Sequence, residues 1–444
     1  NRTSDNELRK QIAATLAGIL NSPSFSTRDI KVAAMTSFGL TPLDPVSPEM
    51  REETKDLNTD AATSRQGQLK YLLAYYDEAN ERANSRTRHY MVRAHAPTAM
   101  ARLLAGQGKD FEALRDEVLT KLLEGVDKNS KYNREIQQSC VLALGQIADC
   151  RKGGKKNPHS MAAAELDRIA KEGEQQARRF ALIAIAQIGA RPAPEGVEDP
   201  TGGRDDLRKM LLSRMAKAKG EQSAWAGLAL GVHGRALADQ KQPPMDIGAV
   251  AALRTEAEAC KNPSQAGAFM LALGLIHDTE SARMILEKLD YFAGSDETRG
   301  HAAVALGLMG YAQAIEPIQK ILDSSAFRPE LMKQAAVALG LLGDKKMVDN
   351  LVKMLGEAKS LSSQAAIASA LGTIGDRNSI GGLVDMLKDS GKTQTARGFA
   401  AVALGIVCDK ELLPWNAKIG ENINYRANTV TLTGEDKTGI LDLL

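Results

Sequence analysis

Histidines are the residues of this 444-residue sequence best suited to bind a metal or to move a proton. None of the six lies in an HExxH motif or beside a glutamate, the patterns that bring several metal ligands onto one helix. Without carboxylate partners nearby in the sequence, they are interpreted as helix-end or partly exposed residues. We therefore expect neither a metal nor a cofactor at any of them: His89, His95, His159, His233, His277 and His301.

Motifs for nucleophilic or phosphoryl chemistry are absent from the sequence as well. It contains no GxSxG motif and no Walker A motif. The four cysteines, Cys140, Cys150, Cys260 and Cys408, have no CxxC spacing and are interpreted as small hydrophobic residues of the core. These observations predict no catalytic residues, so we do not expect the chain to be an enzyme.

Two basic segments suggest a different chemistry, the binding of phosphate or nucleic acid. Residues 86–102 (RTRHYMVRAHAPTAMAR) include four arginines, and the loop 151–156 (RKGGKK) has four basic side chains. Aromatic residues are scarce in both segments, acidic residues surround them, and the formal net charge of the chain is only +2. Solvated surface is the favoured interpretation, with a phosphate-binding patch as the alternative, and nucleic acid is a disfavoured partner.

The stretch AAVALGLLGD (335–344) contains two glycines three residues apart. A phosphate-binding loop requires a strand before the glycines and a helix after them, whereas here they follow a run of helix-forming residues. A KH-type clamp requires a GxxG loop with basic residues, whereas Leu341 and Leu342 separate these glycines. The motif is therefore predicted to end a closely packed helix.

The same motif recurs along the chain. Its first small residue falls at positions 145, 186, 231, 274, 307, 340, 372 and 405, so the intervals are 41, 45, 43, 33, 33, 32 and 33 residues. A fixed period near 33 residues, lengthened by insertions in the earlier repeats, is typical of a stacked array of repeats.

Each repeat is predicted to be a pair of helices. Residues 345–359 (KKMVDNLVKMLGEAK) carry an apolar stripe with helical spacing, and the polar turn SLSS leads into QAAIASALGTIG at 364–375. Neither helix can bury its stripe alone, so successive pairs must stack.

The two glycine positions of the motif are predicted to have different structural roles. Ala186 replaces the first glycine in one repeat, so that position requires a small side chain and not a positive φ. A glycine inside a helix costs about 1 kcal/mol relative to alanine, which close helix packing must offset. These structural positions are Gly145, Gly231, Gly274, Gly307, Gly340, Gly372 and Gly405.

The second position is predicted to be a helix C-cap, followed by an aspartate that begins the next helix as an N-cap. The cap glycines are Gly189, Gly234, Gly310, Gly343 and Gly375, and the aspartates are Asp149, Asp278, Asp344, Asp376 and Asp409.

The helix-pair length and the ALGxxGD ending resemble HEAT repeats, specifically the short subclass known from phycobilin-lyase subunits and from bacterial HEAT-repeat proteins of uncharacterised function. The resemblance covers residues 130–410 and extends to 31–40 and 96–106. It implies an all-α fold, an α-solenoid of about eight to ten helix pairs. A composition of 43% hydrophobic and only 4% aromatic residues also favours helices. The His-Glu pairs of a HEAT-like di-iron enzyme family are absent.

In HEAT solenoids the second helices line the concave surface, so residues early in those helices are expected to face a groove. Eight residues before the small position, the sequence repeatedly has Gln or Arg. Such a ladder could bind an acidic peptide or helix, because arginine presents a rigid fork of donors. The alternative is that these are ordinary polar residues at the start of a helix: Gln137, Arg178, Arg299, Gln364 and Arg397.

Three regions are predicted from these patterns. Residues 1–110 hold irregular N-terminal helical repeats with a polar insertion at 41–68, residues 111–412 hold the regular array, and residues 413–444 form a non-helical capping strap, with a hairpin suggested by NTVTLT. Two Pro/Gly-rich insertions, 191–206 and 239–248, are expected to project from one edge of the array.

The expected function is a non-catalytic scaffold that binds another protein along the concave face or the edge loops, as a subunit of a larger assembly. The alternatives are a lyase-type HEAT subunit acting on a tetrapyrrole or a partner protein, and a nucleic-acid-binding HEAT protein. The sequence has no apolar run as long as a transmembrane helix, and a cytoplasmic location is favoured. Because the sequence begins at Asn1 and not at Met, a secreted or periplasmic location stays open.

Overall fold

A computed structural model describes residues 2–22, 27–46, 61–77, 89–154, 156–325, 327–343 and 346–408. These residues form α-helices joined by turns, short 3₁₀ helices and irregular segments, and no strand occurs among them. The capping strap at 413–444, the caps Asp344 and Asp409, and the basic residues Arg86, Arg88 and Lys155 lie outside the described ranges.

The described residues divide into two compact units at residues 208 and 209. In the first unit, α5, α7 and α9 contact one another in succession, and α6 and α8 pack against α7 and α9. Its helices are α1 (Arg2–Asn21), α2 (Arg28–Gly39), α3 (Arg65–Tyr76), α4 (Tyr90–Arg93), α5 (Ala96–Leu104), α6 (Glu112–Val126), α7 (Arg134–Ile147), α8 (Pro158–Glu172) and α9 (Gln175–Ala190). The next helix, α10 (Arg204–Lys217), crosses the division.

The second unit is a regular stack of helix pairs. Its odd-numbered helices from α11 to α21 contact one another in succession and form one layer, and each even-numbered helix from α12 onwards packs against the odd-numbered helix that follows it. The helices are α11 (Glu221–Asp239), α12 (Ile247–Ala259), α13 (Pro263–Leu275), α14 (Ala282–Tyr291), α15 (Asp296–Leu308), α16 (Ile315–Asp323), α17 (Pro329–Leu341), α18 (Lys346–Glu357), α19 (Leu361–Ile374), α20 (Ser379–Lys388) and α21 (Gln394–Cys408). The α-solenoid fold class expected from the period is confirmed.

Glycine meets alanine wherever neighbouring second helices approach most closely. A Cβ built on Gly231 would lie 2.4 Å from the Ala272 Cα, and one built on Gly145 would lie 2.5 Å from the Ala184 Cα. Such distances leave no room for a methyl group. The pairs are Gly39–Ala99, Gly145–Ala184, Gly231–Ala272, Gly274–Ala305, Gly307–Ala338 and Gly372–Ala403.

Two glycines of the motif have different surroundings. A Cβ on Gly340 would meet the Ile374 side chain, with Cγ1 at 2.6 Å, and not the backbone of the next helix. A Cβ on Gly405 would have no described heavy atom within 4 Å. Among the glycines at the first position of the motif, the requirement for a small residue is therefore strongest at Gly145 and Gly231 and weakest at Gly405.

The second position of the motif ends the helix only in the later repeats. Gly310, Gly343 and Gly375 have φ of +68°, +77° and +64°, and His277 adopts the same left-handed conformation at +56°. The cap prediction is wrong at Gly189 and Gly234, because α9 continues to Ala190 and α11 to Asp239.

The insertions are more ordered than their composition suggests. Within the predicted polar insertion 41–68, α3 already begins at Arg65, and the Ser64 side chain caps it by accepting a hydrogen bond from the Gly67 N–H. The 191–206 segment is tied back to the loop after α7, since Cys150 N–H donates to Arg191 O at 2.9 Å and Gly203 N–H to Cys150 O at 2.7 Å. These hydrogen bonds contradict a freely projecting loop at 191–206.

Candidate functional site

Three side chains of the predicted groove ladder are hydrogen-bonded inside their own repeats. Gln137 Nε2 donates to Tyr132 O at 2.9 Å, and Gln364 Nε2 donates to Ala358 O at 2.8 Å. These carbonyls lie in the turn before the second helix, where the first helix has ended and its last carbonyls have no helical partner.

Arg397 makes the same kind of contact in the last pair of helices. Its Nε donates to Leu387 O at 2.7 Å, in the last turn of α20. These donors therefore fasten the first helix of a pair to the second. Their polar character has a structural reason that does not require a partner.

The other two members of the ladder are arginines whose side chains are half-buried. Arg178 lies on α9, and Arg299 lies on α15 with its Nη2 3.7 Å from Asp290 Oδ1. Asp290 is 92% exposed, so the ion pair with Arg299 is open to solvent and to competition from an acidic group on a partner.

The described arginines of the two basic segments point into the protein. Arg93 is buried, donates to Tyr76 O at 2.6 Å and lies over the Tyr132 ring at 5.3 Å from its centre. Arg151 pairs with the buried Asp149 and with Glu112, which is 26% exposed, and Lys152 pairs with Asp206 at 2.8 Å. Arg93 and Arg151 are therefore occupied by contacts within the chain, while Lys152 and Lys156 lie at the surface.

Arg151 belongs to a cluster of charged side chains between α6, α8 and the loop after α7. We call it the buried charge cluster: Glu112, Arg115, Asp116, Asp149, Arg151 and His159. Arg151 Nη1 lies 2.5 Å from Glu112 Oε1, and its Nε and Nη2 donate to the two oxygens of Asp149 at 2.7 and 2.6 Å. Arg115 Nη1 donates to Glu112 Oε2 at 2.6 Å. Asp149, predicted as an N-cap, is instead a buried anion with a bidentate arginine.

Both ring nitrogens of His159 face carboxylates of this cluster. Nδ1 accepts a hydrogen bond from the Asp149 N–H at 3.0 Å and lies 3.3 Å from Asp149 Oδ2. Nε2 lies 3.3 Å from Asp116 Oδ1 and 4.0 Å from Glu112 Oε1. Burial lowers the pKa of the imidazole, while Asp149 acts in the opposite direction. Burial also opposes the charge of Arg151, but its hydrogen bonds to Asp149 and Glu112 raise the pKa of the guanidinium.

Sequence reasoning missed this cluster because its members are distant in the chain. His159 follows Asp116 by 43 residues and has no acidic neighbour of its own. One local signal was available, the spacing of Glu112 and Asp116. Carboxylates four residues apart lie on the same face of a helix, and these two side chains lie on the face of α6 that packs against α8.

The buried histidine His95 leads to a prediction about pH. Burial, and secondarily the charge of Arg102, lowers the pKa of His95 to about 4. An unfolded histidine has a pKa of about 6.5, so between these values the unfolded chain binds the extra proton. The neutral, buried His95 therefore contributes about 3 kcal/mol to the free energy of unfolding above about pH 6.5. This contribution is lost as the pH falls towards 4. We expect His95→Gln to reduce this loss of stability in urea unfolding measured from pH 7 to 4.5. The control His89→Gln, at an exposed site, should lose as much stability as the wild type. The same dependence of the free energy of unfolding on pH in all three proteins would contradict the assignment of the loss to His95.

None of the described helices combines the length and apolar character that a membrane span requires. A family model described as HEAT repeats matches residues 282–362, which include α14 to α18. No curated protein matches the chain.

Three solved structures align with most of this chain. An engineered protein is 16% identical over 91% of this chain and 98% of its own, with a TM-score of 0.31. Importin beta is 13% identical over 90% of this chain and 57% of its own, with a TM-score of 0.37. A microtubule polymerase with TOG domain arrays, solved in a study of tubulin recruitment, is 11% identical over 94% of this chain and 93% of its own, with a TM-score of 0.25.

The TM-scores of these three structures are too low to support an argument about partners, and this chain spans little more than half of importin beta. The family match and the stacked helix pairs of the second unit both indicate helical repeats, and neither depends on these three structures. The chain is therefore a helical-repeat protein whose residues 282–362 match the HEAT-repeat family model.

Proposed function

We propose that the chain is a non-catalytic scaffold that binds another protein along the second-helix layer of its second unit. The observation that carries this proposal is a set of apolar side chains left partly or largely exposed on the second helices α15, α17 and α21, whereas α19 has Ser369 at the equivalent position. We call it the exposed ridge: Val304, Leu308, Val337, Leu341 and Val402.

The exposed ridge occupies equivalent positions of the repeat. Val304, Val337 and Val402 each lie three residues before the small residue of the motif, and Leu308 and Leu341 lie one residue after it. Val304, Leu308 and Val337 are half-buried, while Leu341 is 48% exposed and Val402 is 54% exposed. Apolar side chains that face solvent in a periodic row are typical of a binding surface of a repeat protein.

Earlier repeats of the same unit bury this position. Leu228 on α11 and Leu271 on α13 are the residues equivalent to Val304, and both are buried. The exposed ridge therefore belongs to the later repeats, α15 to α21, and we place the partner there. The inward contacts of Arg93 and Arg151 favour a protein partner over nucleic acid.

Charge near the exposed ridge favours a partner with acidic groups beside its apolar residues. Arg299 lies on α15, the helix of Val304, and an acidic side chain of the partner can replace its exposed partner Asp290. Lys359 and Lys392, with one acidic residue, Glu357, line a cleft beside Gln364, between the turns that precede α19 and α21. An amphipathic acidic helix or extended segment fits this surface chemically.

The test is capture of the partner from the native extract by the full chain and by matched variants. We expect Val337→Glu to reduce capture at least about tenfold, since a charge placed in an apolar contact leaves it desolvated and unpaired. The control Ile247→Glu introduces the same side chain at an 85% exposed site on the first helix α12 and should leave capture unchanged. Charge reversal gives a second matched pair, with Arg299→Glu expected to weaken capture and the exposed Arg283→Glu expected to have no effect. Equal capture by Val337→Glu and Ile247→Glu would contradict the proposal.

A further inference from the structure

We propose that Glu112, Asp116 and His159 bind a divalent transition-metal ion, Zn²⁺ by their chemistry, between α6 and α8 of the first unit. The three side chains bring one imidazole nitrogen and two carboxylate oxygens together, and these ligand atoms all lie within 4.8 Å of one another. Zn²⁺ accepts both kinds of ligand, and imidazole favours it over Mg²⁺ and Ca²⁺.

The spacing of the ligand atoms fits tetrahedral coordination. Two ligands that each lie about 2.0–2.1 Å from Zn²⁺ are about 3.4 Å apart at the tetrahedral angle. The distance from His159 Nε2 to Asp116 Oδ1 is 3.3 Å, and the distance to Glu112 Oε1 is 4.0 Å. Only the glutamate, the most flexible of the three side chains, has to move, so the pocket is nearly preformed.

The second observation is that His159 Nε2 and Asp116 Oδ1 are buried without a hydrogen bond to any described residue, while the buried Glu112 Oε1 is paired with the guanidinium of Arg151. The His159 side chain is 0% exposed, and its Nε2 points between the two carboxylates. Buried polar atoms in proteins almost always have partners, so the two unsatisfied atoms, which converge beside Glu112 Oε1, call for a cation.

The surroundings of His159 include a group that can support a metal ligand. A metal at Nε2 requires the ring proton on Nδ1, so binding must exchange the hydrogen bond that Nδ1 accepts from the Asp149 N–H at 3.0 Å for one that Nδ1 donates to Asp149 Oδ2, 3.3 Å away. A carboxylate behind a ligating histidine is the usual arrangement of such sites. Asp149 is itself held by the bidentate contact with Arg151.

Arg151 also competes with the ion, because its Nη1 lies 2.5 Å from Glu112 Oε1. Glu112 can release this oxygen to the metal, since Arg115 holds its other oxygen at 2.6 Å and Asp149 keeps Arg151 paired. Access comes from the carboxylate side, where Asp116 is 42% exposed and Glu112 is 26% exposed. The ion can therefore reach His159 without opening the helix pair.

The test is calorimetric titration of the EDTA-treated full chain with Zn²⁺ at neutral pH. We expect one saturable site in the wild type and at least about a tenfold loss of affinity in both His159→Gln and Asp116→Asn. His95→Gln is the matched control, because it removes a buried histidine that lies near Arg102 and should retain the wild-type affinity. Far-UV circular dichroism of each variant checks that the helices are intact.

A spectroscopic measurement on the wild type keeps the proposal testable if a variant fails to fold. In the chain loaded with one Cu²⁺, electron spin-echo modulation should show an imidazole nitrogen, and added Zn²⁺ should displace that signal. Absence of a saturable Zn²⁺ site in the wild type would overturn the proposal. So would wild-type affinity in folded His159→Gln and Asp116→Asn.

Discussion

Replacing Gly231 with alanine is expected to lower the free energy of unfolding by about 2–3 kcal/mol. The new Cβ would lie 2.4 Å from the Ala272 Cα and 2.9 Å from its carbonyl oxygen, so α11 and α13 would have to move apart along their contact. This penalty exceeds the gain of up to about 1 kcal/mol that alanine brings to a helix interior. Thermal and urea unfolding of the full chain measure the difference.

The matched control for Gly231→Ala makes the same chemical change at the same repeat position. A Cβ on Gly405 would have no described heavy atom within 4 Å, so Gly405→Ala should raise stability by up to about 1 kcal/mol through helix propensity alone. Opposite signs for the two variants would support close helix packing as the reason for the glycines. If both variants stabilised the chain, that reason would be wrong.

The second large effect is expected from the buried charge cluster. Asp149→Ala should lower the free energy of unfolding by about 3–5 kcal/mol, because it leaves the guanidinium of Arg151 buried with one carboxylate fewer. Asp149 is 3% exposed and the Arg151 side chain is 10% exposed, so water cannot replace the lost contact. Denaturant unfolding measures this loss directly.

The neighbouring ion pair provides a control for the charge effect. Lys152 and Asp206 are paired at 2.8 Å but are 64% and 51% exposed, so Asp206→Ala should change stability by less than about 1 kcal/mol. An equally small effect of Asp149→Ala would show that the cluster contributes no more than a surface pair and would refute its structural role.

The sequence was sufficient to predict the fold, because the repeat period reports directly on stacked helix pairs. The apolar stripe in residues 345–359 and the motif around Gly372 correspond to α18 and α19, but the turn lies at 358–360 and α19 already begins at Leu361, within the SLSS segment predicted as the turn. The Gly–Ala contacts also follow from the sequence, since a position that tolerates only glycine or alanine in a helix signals close approach. The cap prediction failed at Gly189 and Gly234 because the apolar stripe continues beyond the glycine there.

The candidate functional surfaces were harder to predict, because which side chains remain exposed depends on how the helices pack. Gln364 and Arg397 looked like groove residues, yet each donates to a carbonyl of its own helix pair, a contact that depends on how the first helix ends. Val337 is half-buried on α17, and the sequence pattern did not single it out. His159 meets Asp116 and Asp149 only after α6 and α8 pack, so the local spacing of Glu112 and Asp116 could not by itself reveal the cluster.

The most direct test of the scaffold proposal is site-specific photo-crosslinking in the native extract. A benzoylphenylalanine at position 341, a 48% exposed site on the exposed ridge, is compared with one at position 247, an 85% exposed site on a first helix. The proposal predicts one dominant protein adduct from position 341 and none from position 247. Adducts from position 247 alone, or the same adducts from both positions, would contradict it.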